Sequence, residues 1–248
     1  MMSSLFSLSL VFALLCAVGP TDASDLNEFD NLRRLETIDD IQRIVYGDAN
    51  GRVHVLEGDG TRFAEVWVSE YLEGAVAGLF VTDVNDDELE EVVVFTDRGR
   101  IYYIDSRDYR IIWSNPPGEY ERITCQGVYD TDDDPQPELL FCADGYLIVY
   151  DGRDQYEQWR SDQSNLTSRQ LLIGDVDGDG EKEIVLNDGY VFDARFFDLE
   201  WQSPEPFGER LGLLDMDEDG ILELIGEFQG RYLRIFDVDL RREKSLSR

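Results

Sequence analysis

LLIGDVDGDGEKEIVL, residues 171–186, is an apolar run, an acidic loop that opens on Asp175, and a second apolar run entered through Glu183. The same order occurs three more times. It reads LFVTDVNDDELEEVVVF at 79–95, GVYDTDDDPQPELLF at 127–141 and LGLLDMDEDGILELIG at 211–226. The loops open on Asp83, Asp130, Asp175 and Asp215, at intervals of 47, 45 and 40 residues. Internal similarity at such periods is the signature of propellers and solenoids.

All four tryptophans keep step with these loops. Trp67, Trp113, Trp159 and Trp201 each close a β-rich stretch and turn: VHVLEGDGTRFAEVW, IYYIDSRDYRIIW, YLIVYDGRDQYEQW and VFDARFFDLEW. Packing between repeats is the expected role of the indoles. Trp67 has no acidic loop before it, yet Arg43–Tyr46 and the turn at 47–51 match the second strand of the unit, so a degenerate fifth copy comes first. Apolar residues alternate at Val53 and Val55, and at Leu147 and Val149, as a strand with two unlike faces requires. No stretch has a helical period. The fold expected is therefore all-β, a β-propeller of about five four-stranded blades. It spans residues 24–242, with a tail at 243–248 that includes the charged Glu243 and Lys244. Leu32–Ile38 is a poor match for the first strand, on which closure of the ring depends. A longer ring completed by self-association is the alternative left open.

The chain has 248 residues with 54 acidic, 22 basic and one histidine, a formal net charge of -32. Nucleic acid is excluded as a partner, because such binding needs a basic stripe to displace counterions. Disorder is excluded by a 42% hydrophobic and 12% aromatic content, ample for a core. Residues 5–18, LFSLSLVFALLCAV, followed by a small-residue stretch, read as a signal peptide ending near Ala23. No later segment approaches the ~20 apolar residues of a membrane span. The expected location is secreted, extracellular or at the cell surface, or periplasmic in a bacterium. Beyond the leader, Cys125 and Cys142 flank the second acidic loop, and either a bridge or two buried thiols would fit.

The spacing Asp-x-Asp-x-Asp-x-x-x-Glu puts oxygen donors at positions 1, 3, 5 and 9 of a loop. These are Asp83, Asn85, Asp87 and Glu91 in loop 1, and Asp130, Asp132, Asp134 and Glu138 in loop 2. Loop 3 has Asp175, Asp177, Asp179 and Glu183, and loop 4 has Asp215, Asp217, Asp219 and Glu223. Alternate side chains of a tightly curled loop converge, and hard oxygen donors without His or Cys select Ca²⁺. An EF-hand would need Glu at position 12, where loops 3 and 4 have Leu186 and Gly226. Acidic hairpin turns would use the same residue types, but four loops in register favour a metal. Position 6 wants glycine, which Gly180 and Gly220 supply and Glu88 and Pro135 do not. This ranks loops 3 and 4 first and loop 2 last.

IGDVDGDGEKEIVL and LLDMDEDGILELIG, with looser matches at VTDVNDDELEEVVV and VYDTDDDPQPELLF, resemble the FG-GAP and VCBS repeats of integrin α-subunit propellers and many secreted proteins. The resemblance covers roughly residues 40–240. It implies calcium loops between the first two strands of each blade that mainly stiffen it. There is no Gly-Ala-Pro, and the only Phe-Gly is Phe207-Gly208. The function expected is a non-enzymatic binding or cell-adhesion module for an extracellular protein or glycan. The alternative is a carbohydrate-active protein, either a lectin or the scaffold of a polysaccharide lyase or hydrolase, for which Tyr102, Tyr103, Tyr146 and Tyr150 are candidate exposed aromatics, half of which strand alternation would bury. His54 lacks a partner histidine or nucleophile motif and reads as structural, and Asn165-Leu166-Thr167 is a glycosylation sequon.

Overall fold

The computed structural model describes residues 31–35, 41–132 and 134–244. The expected leader, the residues around Ile38 and Asp133 of loop 2 lie outside the described residues. The described strands form five four-stranded antiparallel sheets, each a meander in chain order. Sheet 1 contains β1 (Leu32–Leu35), β2 (Arg43–Gly47), β3 (Val53–Gly58) and β4 (Phe63–Val68). Sheet 2 contains β5 (Val76–Thr82), β6 (Glu91–Thr96), β7 (Ile101–Asp105) and β8 (Ile111–Ser114). Sheet 3 contains β9 (Ile123–Tyr129), β10 (Glu138–Ala143), β11 (Tyr146–Asp151) and β12 (Tyr156–Arg160). Sheet 4 contains β13 (Leu171–Gly174), β14 (Glu183–Leu186), β15 (Tyr190–Asp193) and β16 (Leu199–Gln202). Sheet 5 contains β17 (Arg210–Leu214), β18 (Glu223–Phe228), β19 (Tyr232–Asp237) and β20 (Arg242–Lys244). The poorly matching segment after Leu32 does begin sheet 1. Glu243 and Lys244, assigned to a tail from their charge, are part of an outer strand.

Each of sheets 1 to 4 buries a face against the next. Val45, Val55 and Trp67 of sheet 1 pack on Leu79, Val92 and Val94 of sheet 2, whose other face sends Val93, Phe95 and Tyr103 against Leu139, Phe141 and Tyr150 of sheet 3. Leu140 and Val149 of sheet 3 then meet Ile173 and Ile184 of sheet 4, and Val185, Val191 and Trp201 meet Leu211, Leu224 and Phe236 of sheet 5. These are four cores for five sheets, and among the described residues no core joins sheet 5 to sheet 1. Burial of single strands falls toward the first and last sheets. Every residue of β6, β10 and β14 is buried, as strands covered on both faces must be. In β3 and β19, of those two sheets, burial is partial.

The tryptophans occupy one place in this scheme. Trp67, Trp113, Trp159 and Trp201 stand opposite Val55, Tyr103, Val149 and Val191, and the pairing register slips by one residue directly beside each. Such a bulge bends the outer strand and turns an extra side chain toward the sheet face. Cys125 and Cys142 face each other across β9 and β10 as buried free thiols.

Candidate metal centre

Every acidic loop joins the first strand of its sheet to the second, and its first half is built by aspartates that accept backbone hydrogen bonds. In loop 3, Asp175 accepts from Gly178 N–H at 2.8 Å, Asp177 from Asp179 at 3.1 Å and Asp179 from Glu181 at 2.8 Å. Aspartate makes such local turns readily because its short side chain reaches the backbone two or three residues on. Positions 4 and 6 are left-handed in three loops: Asp86 and Glu88 (φ 59 and 67), Gly178 and Gly180 (84 and 94), and Glu218 and Gly220 (62 and 93). Pro135 forbids that conformation at position 6 of loop 2. That loop instead runs through successive turns from Asp130 to Asp132, Asp134 and Gln136.

The glutamate at position 9 closes each loop. Its Oε2 accepts the backbone N–H of position 2, from Val84 to Glu91 at 3.2 Å, Thr131 to Glu138 at 2.7 Å, Val176 to Glu183 at 2.7 Å and Met216 to Glu223 at 2.9 Å. All four carboxylates are buried. Burial, reinforced by the neighbouring aspartates, pushes the carboxyls of Glu91 and Glu138 up to about 7 and that of Glu183 up to about 8. Glu138 Oε1 and Asn85 Oδ1 are buried and have no hydrogen-bond partner. An unpaired buried acceptor is costly, and a cation beside it would remove that cost.

Three loops gather ligand atoms. One oxygen from each of Asp130, Asp132 and Glu138, of Asp175, Asp177 and Glu183, and of Asp215, Asp217 and Glu223 lies within 4.8 Å of the others in its group. Oxygens bonded to one Ca²⁺ at about 2.3–2.6 Å stand at most about 5 Å apart, so the spacing of positions 1, 3 and 9 is compatible with the ion. The position 5 residues Asp134, Asp179 and Asp219 are outside these groups and turn the backbone instead. In loop 1, Asp83 spends both oxygens on the N–H groups of Asp87 and Glu88, and Asp87 accepts from Leu89. Asp215 and Asp219 make the same hydrogen bonds in loop 4, so what sets loop 1 apart is Asn85, an amide rather than a carboxylate at position 3.

The loops also differ in their basic neighbours. Arg153 reaches Asp86 of loop 1 at 3.7 Å, and Lys182 and Arg195 share a small cavity with Asp130 of loop 2. Lys244 Nζ lies 2.8 Å from Glu223 Oε1 of loop 4. The pair holds the Glu223 carboxyl below its ordinary value, the reverse of the other three. No ion pair reaches Asp175, Asp177, Asp179 or Glu183 among the described residues.

Loop 3 has a further carboxylate that the spacing along the chain does not reveal. Glu200, on β16, is the residue beside Trp201 at the register slip, and its Oε2 is buried without a partner. Burial first, then Asp177, Asp193 and Asp179, push its carboxyl up to about 7. The signal in the sequence is faint but present, since the residue before the tryptophan is Val66, Ile112, Gln158 and only once an acid.

The other candidates are structural. His54 stacks on Tyr46 with ring centroids 4.6 Å apart and lies 2.8 Å from Glu65. Tyr102, Tyr103 and Tyr150 are buried and Tyr146 is half-buried, so more of these tyrosines are buried than the half that strand alternation requires. The Tyr102 and Tyr103 hydroxyls donate to the carbonyls of Leu72 and Gly152.

No family model matches the sequence, and no curated protein matches it. Several solved structures resemble the chain. BBS1N, solved in complex with ARL6DN, gives a TM-score of 0.62 at 15% identity over 87% of this chain and 67% of that one. The V. cholerae biofilm matrix protein Bap1 gives 0.55 at 16% identity, over 84% and 37%. The Neurospora crassa Pan2 WD40 domain gives 0.54 at 14% identity, over 87% and 64%. The likeness shows a β-propeller type of fold, and the five sheets are its blades.

Proposed function

We propose that the chain is a secreted, calcium-stiffened propeller of the FG-GAP and VCBS kind that binds an extracellular protein. The observation that carries the calcium reading is loop 3. Oxygens of Asp175, Asp177 and Glu183 lie within 4.8 Å of one another, and no basic group pairs with them among the described residues. A hard divalent cation there would neutralise a cluster that otherwise repels itself, and would tie the end of β13 to the start of β14. Glu138 with its unpartnered oxygen makes loop 2 the next candidate.

The binding part draws on the fold and its relatives. BBS1N was solved with a protein partner, and Bap1 is a biofilm matrix protein. A protein partner is preferred to a glycan on the strength of the BBS1N complex, and Tyr102, Tyr103 and Tyr150 are buried and offer no sugar-stacking surface.

Titration calorimetry on metal-stripped protein tests the calcium reading, together with melting curves in chelator and in millimolar Ca²⁺. One site held at a hundred times its Kd adds about 2.7 kcal/mol, which for a chain of this size raises Tm by about 5–10 °C. Superimposable melts with no heat of binding would end this reading.

A further inference from the structure

Loops 3 and 4 are the two best matches to one sequence pattern, but their surroundings are opposite. Counting from the position 9 glutamate, the forward-facing row of each sheet is Val93–Tyr103–Trp113, Leu140–Val149–Trp159 and Val185–Val191–Trp201. In sheet 5 the same row is Ile225–Ile235–Lys244. Lysine thus stands where every other sheet has tryptophan.

The position explains the exchange. Each tryptophan packs in a core shared with the following sheet. Among the described residues that side of sheet 5 is uncovered, with Leu233 55% exposed. A lysine stem with its charge free to turn suits the place better. Its ammonium turns to the start of β18 and meets Glu223 Oε1, while Glu223 Oε2 is already taken by Met216 N–H. Both carboxylate oxygens are then engaged, in the loop whose Asp215 and Asp217 lie within ligand distance of the same glutamate.

We infer that Lys244 is a tethered counter-ion occupying the cation's place at loop 4, so that loop 3 binds a divalent cation and loop 4 does not. This rests on the calcium reading above. A metal entering loop 4 would have to break the Lys244–Glu223 pair and then sit beside an ammonium group, and both effects oppose it. The expected penalty is at least about tenfold in affinity. The lysine also supplies permanently the charge that loop 3 obtains only at sufficient calcium, so the last blade stays closed when calcium is scarce.

Calcium stoichiometry on the metal-stripped full chain tests this, with thermal melts to establish that each variant is folded. Asp217→Asn should leave the number of bound ions unchanged, whereas Asp177→Asn should remove one. Lys244→Met, which keeps the stem and removes the charge, should add one ion, and adding Asp217→Asn to it should abolish that gain. Lys244→Arg, which keeps the charge, should add none. Loss of an ion with Asp217→Asn alone, or no gain with Lys244→Met in a chain that still fills loop 3, would overturn the inference and leave the calcium reading intact. A chain that takes up no calcium, with or without Lys244, would refute both.

Discussion

Glu138 shows what a single residue in this protein has to do. Its Oε2 holds the Thr131 backbone N–H and hydroxyl, both at 2.7 Å, while Oε1 is buried without a donor. An acid in that position gives up its charge before it gives up its place. Glu91, Glu138 and Glu183 all have carboxyls raised from 4.5 to about 7 or 8. Because the folded values lie above the unfolded ones, the folded state holds more protons between these limits, and stability falls as pH rises through them. The metal-free protein should therefore lose Tm steadily between about pH 5 and pH 8, and millimolar Ca²⁺ should remove most of the slope. A flat profile in chelator would count against buried, uncompensated carboxylates. The position 1, 3 and 9 residues of loops 2, 3 and 4 were legible in the sequence because their spacing is local. The tethered Lys244 was not, because its partner Glu223 is 21 residues away.

At the scale of the element, the outer strand joins site to core. The register slip beside each tryptophan directs the indole into the next sheet, and at β16 it places Glu200 near loop 3. Trp201 sits among Phe207 and Phe236, with ring centroids at 5.0 and 6.3 Å. Its replacement by alanine should cost about 3–5 kcal/mol in urea unfolding, and a loss under about 1 kcal/mol would show that the sheets are held some other way. The strand pattern itself was readable from the repeat. Charge concealed β20, since Arg242, Glu243 and Lys244 resemble a solvated tail, but an edge strand tolerates charge where a central one does not. Bulges hid Glu200 in the same way, because a slip in pairing changes which face a residue joins without changing its place in the chain.

Across the whole molecule, the open question in the sequence was closure of the ring, and among the described residues one side of sheet 5 is uncovered. Position 2 of the loops is Val84 at 0% exposure, Val176 at 3% and, in the last sheet, Met216 at 52%. Leu233 is 55% exposed, whereas its equivalents Ile101 and Leu147 are at 0%. Among the described residues, exposure at these positions rises at the last sheet. Leu147→Ala should then cost about 2–5 kcal/mol and Leu233→Ala under about 1 kcal/mol, measured by denaturant titration. Equal losses would mean that sheet 5 is packed against a neighbour. By itself the sequence determined the number of repeats, the all-β class and the oxygen donor at each loop position, because alternation and short-range turns are encoded within a few residues. Only the tertiary structure decided which sheets share a core, which tyrosines are buried and which loop has a basic partner. Those outcomes depend on groups that packing brings together from distant parts of the chain.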